Sequence, residues 1–82
     1  EEIKIQLSPN PTSGQLTIVS ELLLQNTNIL IYSNTGQLIS TIPVVQRTEI
    51  QEVNLDNLPN GAYFVQLRSD THSIVEPFII VK

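Results

Sequence analysis

The 82-residue chain has no cysteine, methionine or tryptophan, and one histidine, His72. Without cysteine no disulfide can reinforce it. A single histidine leaves too few ligands for the usual structural zinc sites, so no cofactor is expected. Cations are scarce and dispersed: Lys4, Arg47, Arg68 and Lys82, against a net charge of −4. Nucleic-acid binding needs clustered cations to replace phosphate counterions, and an anionic membrane surface makes a similar demand, so neither partner is expected. No apolar run approaches the roughly 20 residues that span a bilayer, which argues against membrane insertion. Aromatic side chains are limited to Tyr32, Tyr63, Phe64 and Phe78, a thin supply for the ring platforms that stack sugars. The glycines stand alone at Gly14, Gly36 and Gly61, so no phosphate-cradling loop is present.

Catalytic constellations are equally sparse, and the chain is not expected to be an enzyme. His72 falls in a turn with Asp70 and reads as a solvated loop residue. Glu49 and Glu52 are three apart on a strand and point to opposite faces, so they cannot face each other across a cleft. Asn10-Pro11-Thr12 resembles a glycosylation sequon, but the central proline disqualifies it.

Aliphatic residues at a period of two dominate what remains. Ile3, Ile5 and Leu7 form one half-buried strand pattern, and Leu16 and Ile18 another. Leu22-Leu23-Leu24 is read as a strand end or connection. Residues 28–33 form a strand whose unbroken run Ile29-Leu30-Ile31-Tyr32 fits a central position. Ser33-Asn34-Thr35-Gly36 signals a hairpin, with Asn and Gly supplying positive φ. Residues 37–42 return, Pro43 breaks that ladder, and residues 44–47 continue as an irregular edge. Residues 49–55 and 62–69 follow as strands, then a turn at 70–73. A last strand runs over 74–82, where Pro77 fits an edge or a bulge. The expected architecture is an all-β, immunoglobulin-like antiparallel sandwich of about seven strands with Greek-key connections, forming a single domain over residues 1–82.

Two corners carry most information. In Ser8-Pro9-Asn10-Pro11-Thr12-Ser13-Gly14, the prolines fix their own φ and hold the preceding residues extended. Asn10 and Ser13 are placed to satisfy local backbone groups, and Gly14 to take a left-handed turn position. In Leu55-Asp56-Asn57-Leu58-Pro59-Asn60-Gly61-Ala62-Tyr63, a Leu-Pro corner and a glycine precede a tyrosine that opens a strand. This is the pattern of a tyrosine corner, whose phenol bonds a backbone group upstream. The oxygens of Asn54, Asp56, Asn57 and Asn60 offer a calcium site only weakly, since Asp56 is the lone carboxylate.

These corners, in order with Ile31-Tyr32-Ser33-Asn34-Thr35-Gly36 and the closing Ile79-Ile80-Val81-Lys82, resemble the type A C-terminal sorting domain of the type IX (Por) secretion system. The resemblance covers roughly residues 5–82. By match, Pro9, Asn10, Pro11 and Gly14 fill the family's first motif, Gly61 and Tyr63 its second, and Lys82 its basic terminus. Ser8 departs from the aromatic residue that many members carry there. The resemblance implies a secretion signal fused to the C-terminus of a cargo. Such a signal transits the periplasm, is recognised by the outer-membrane translocon and ends secreted or at the cell surface. A sortase-like cysteine protease would remove it at or before Glu1.

The start at Glu1-Glu2-Ile3, without Met or a signal peptide, reads as a piece of a longer protein. The final strand running into Lys82 reads as a natural C-terminus. Phe78, Ile79, Ile80, Val81 and Lys82 are the candidate translocon-facing strand, acting by pairing at a sheet edge. The same strand would allow a weak or domain-swapped dimer beside a monomer. Two other readings remain open: an immunoglobulin- or fibronectin-III-like spacer, and a carbohydrate- or adhesion-binding module. The spacer would tolerate residues beyond Lys82. The module would need an aromatic platform or calcium, and Phe64, outward-facing opposite Tyr63, is the only ring expected on such a face.

Overall fold

The computed structural model describes residues 3–44 and 47–82. Seven strands form two antiparallel sheets: β1 (Gln6–Ser8), β2 (Gln15–Val19), β3 (Thr27–Ser33), β4 (Leu38–Pro43), β5 (Ile50–Asn54), β6 (Gly61–Ser69) and β7 (Ser73–Ile80). The three-stranded sheet has the order β1-β2-β5, and the four-stranded sheet the order β4-β3-β6-β7. The chain therefore crosses between sheets after β2, β4 and β5, which gives the Greek-key sandwich expected of the sequence.

The period of two sets the core. Leu16 and Ile18 of β2 and Val53 of β5 face Ile29 and Ile31 of β3, Tyr63, Val65 and Leu67 of β6, and Phe78 and Ile80 of β7. All are nearly sealed from solvent. As the continuous apolar run suggested, β3 is central in its sheet, and Leu30 on its other face is buried too.

The structure corrects several local expectations. The first strand is shorter than its alternation: Ile3 and Ile5 pack against the core without joining a ladder, because β2 ends at Val19. Residues 22–24 are the connection and not a strand end: a 3-10 turn (Glu21–Leu24) between β2 and β3, capped by Ser20, whose hydroxyl accepts from the Leu22 N–H at 3.2 Å. Such a turn can aim adjacent leucines one way, so Leu22 and Leu23 are both buried while Leu24 is exposed. In the β3–β4 turn Gly36 alone has positive φ (89°), and Asn34 does not. Pro43 ends β4 inside the ladder, opposite Asn28, and the Val44 N–H still reaches the Thr27 carbonyl at 3.4 Å. Of the irregular edge expected over 44–47, Val45 and Gln46 lie outside the described residues, as does the Glu1 end.

Candidate functional site

The two corners and the last residues meet at one end of the sandwich. In the 9–14 corner both X-Pro bonds, Ser8-Pro9 and Asn10-Pro11, are cis. Asn10 does not serve a local group: its side-chain oxygen accepts the Ile79 N–H at 3.0 Å. Thr12 continues the contact. Its N–H donates to the Ile79 carbonyl and its carbonyl accepts the Val81 N–H, both at 2.8 Å, making a parallel bridge to Ile80. The Thr12 hydroxyl, buried, donates to the Gln15 carbonyl and accepts the Gly14 N–H at 3.1 Å. Local satisfaction thus falls to Thr12 and not to Asn10.

The second corner approaches from the other side. Tyr63 Oη donates to the Pro59 carbonyl at 2.6 Å, the tyrosine corner its sequence suggested. The Tyr63 ring stacks on Phe78, with centroids 5.6 Å apart and planes 22° from parallel. This contact ties the corner to the last strand. Asn60 Oδ1 accepts the Lys82 N–H at 3.0 Å, and Lys82 Nζ donates to the Asp56 carbonyl at 2.6 Å. The corners also touch each other: the Leu55 N–H donates to the Gly14 carbonyl at 2.6 Å. Gly14 is left-handed (φ 137°), and a β-carbon there would overlap the Asp56 carboxylate. The φ favours glycine outright, whereas the Asp56 carboxylate, the end of a flexible side chain, would have to shift aside. Gly61, at φ 155°, lets the chain turn into β6 beside the Tyr63 ring.

Two of the four side chains considered for calcium, Asn54 and Asn60, are engaged within the chain. Asn54 Oδ1 accepts the Asp56 N–H at 2.9 Å, and Asn60 Oδ1 and the Asp56 carbonyl serve Lys82. Among the described residues no three His, Cys, Asp or Glu side chains cluster as metal ligands. His72 Nδ1 lies 2.7 Å from the exposed Thr71 hydroxyl.

The candidate terminal segment divides by face. Phe78 and Ile80 fill the core, whereas Ile79, Val81 and Lys82 are exposed. The backbone edge here is largely closed. The N–H and C=O of Ile79 point away from β6 and are taken by Asn10 and Thr12. The two-residue period aims Pro77 the same way, so its missing donor falls on the outer side, where it costs no ladder bond and offers none to an incoming strand. What this end presents is a rigid set of side chains, not a free strand edge.

Sequence reasoning singled out Pro9, Asn10, Pro11, Gly14, Gly61, Tyr63 and Lys82; the contacts above join Asn10, Gly14, Tyr63 and Lys82 to the two corners and the last residues, with Pro9 and Pro11 in the first corner and Gly61 beside the Tyr63 ring. It missed Thr12 and Asn60. A buried threonine between two turn formers carries no pattern of its own, and the partner of Asn60 lies 22 residues away. A model of the secretion system C-terminal sorting domain family matches residues 6–81. No curated protein matches the chain.

Proposed function

The chain belongs to the family of type IX secretion system C-terminal sorting domains, and we propose that it acts as the folded export signal of a cargo fused to its N-terminus. The cargo crosses the periplasm, the domain engages the outer-membrane translocon, and a sortase-like cysteine protease then removes it. The domain is a signal and not a catalyst, and it takes no cofactor. The supporting observation is the convergence of both family motifs on residues 79–82. Asn10 and Thr12 hold one side of that segment, Asn60 and Asp56 the other. Pinning a segment in one conformation removes the ordering cost that its recognition would otherwise carry. The side chains then offered to the translocon are those of Ile79, Val81 and Lys82.

The test is a secretion assay in a host with the type IX system. The chain is fused behind a fluorescent reporter bearing a signal peptide and compared with the reporter alone. Fluorescence in the medium or on the cell surface for the fusion only is the expected result. A fusion that stays in the periplasm with its domain folded would overturn the proposal.

A further inference from the structure

The two outer faces of the sandwich are chemically unlike. On the three-stranded sheet the outer face carries Gln6, Gln15, Thr17, Glu52 and Asn54, with Val19 and Ile50 at one end. On the four-stranded sheet one cross-strand row is Leu38, Tyr32, Phe64 and Pro77. The next includes Leu30 and Val75. Leu30 is only 3% exposed yet belongs to no part of the central core, so this face has a small apolar cluster of its own. Leu38 (49%) and Val75 (53%) remain open to solvent. Tyr32 stands directly opposite Phe64, so the face has two rings where the sequence suggested one.

Three polar side chains of this face are spent on one another. Tyr32 Oη donates to Gln66 Oε1 at 2.9 Å, and Gln66 Nε2 donates to Ser73 Oγ at 2.7 Å. Donors already paired within a face cost little when water leaves it. Among the described residues its one charge is Arg68, in the row with Asn28 and Ser73. No described carboxylate lies on it. Glu21 is in the 3-10 turn, Glu49 and Glu52 belong to the other sheet's edge, Asp56 and Asp70 are in loops, and Glu76 shares the inner row of Val65. The described carboxylates thus lie on other surfaces.

We infer that this face is a docking surface for a protein of the export machinery, one presenting an apolar patch and a carboxylate for Arg68. The inference rests on the sorting reading above. Charge selects this occupant over a second copy of the chain: stacked face to face, two copies would bring both arginines against a face that carries no carboxylate among the described residues. An arginine met by a carboxylate is instead a strong, directional pair. The face is also continuous with the terminal segment, because Ile79 follows Val75 and Pro77 on the same side of β7. One partner surface can therefore span both. The aliphatic share of the face favours protein over glycan, which stacks on open rings; Tyr32 and Phe64 are half-buried.

The reporter fusion tests this with Val75→Asp, Leu38→Asp and Arg68→Glu. Ile50→Asp on the opposite sheet serves as control, and each domain is checked for an unchanged melting temperature. Each of the first three should lower export by about tenfold or more, the cost of leaving a carboxylate or a mismatched charge in an interface. Arg68→Lys should retain more export than Arg68→Glu, and Ile50→Asp should export like the parent. Parent-level export of folded Val75→Asp and Leu38→Asp would overturn the inference and leave the sorting role standing. So would normal export with loss of binding to surface polysaccharide. An unexported parent fusion would overturn both.

Discussion

Asn10 and Ile79 lie 69 residues apart, yet the Asn10 side chain completes the hydrogen bonding of the Ile79 backbone at 3.0 Å. A corner that looks local in sequence therefore acts on the opposite end of the chain. Replacing Asn10 with Ala should cost about 1 kcal/mol, the usual net value of one hydrogen bond. It should also raise the amide exchange rate of Ile79 in NMR while leaving β2 and β3 protected. Unchanged exchange at Ile79 would mean that Thr12 alone holds the segment.

Tyr63→Phe isolates the tyrosine corner. The ring keeps its stack on Phe78, and only the bond to the Pro59 carbonyl is lost. A destabilisation of about 1 kcal/mol is expected, read as a lower urea midpoint with the same slope. A changed slope would show that the corner governs the compactness of one of the two states.

Gly14 and Asp56 should behave as a coupled pair. Gly14→Ala brings a left-handed φ and a clash with the Asp56 carboxylate, so it should cost more than about 1 kcal/mol. Asp56→Ala in the same chain relieves the clash but not the φ. The double variant should thus recover part of the loss, and a urea-based double-mutant cycle should give a non-zero coupling. Additive losses would place the whole cost in the backbone.

The sandwich was legible in the sequence because burial on one face of a strand imposes a period of two, visible in Leu16 and Ile18 and in Tyr63, Val65 and Leu67. The tyrosine corner was legible because its partner is only four residues upstream. The roles of Asn10, Asn60 and Thr12 were not, since a turn-forming residue has the same sequence appearance whether its oxygen serves a neighbour or a distant strand. The pairing of Tyr32 with Phe64 was hidden for a related reason: it depends on the register between β3 and β6, which no local pattern encodes. Leu22 and Leu23 left two readings open, strand end or connection, because three consecutive leucines fit no single period.

The last strand offers the sharpest separation of folding from signalling, because neighbouring residues face opposite ways. Phe78 is 1% exposed and stacks on Tyr63, so Phe78→Ala should cost about 3–5 kcal/mol through the cavity it leaves. Export of the reporter fusion should fail with it, for want of a folded domain. Ile79 is 46% exposed and Val81 55%, so Ile79→Asp and Val81→Asp should change the melting temperature little. If these side chains are read by the translocon, the Asp variants should remain folded in the periplasm and fail to leave it. Normal export of both would show that the segment serves only to close the fold. The signal would then lie elsewhere on the domain, and the outer face of the four-stranded sheet would be the first surface to test.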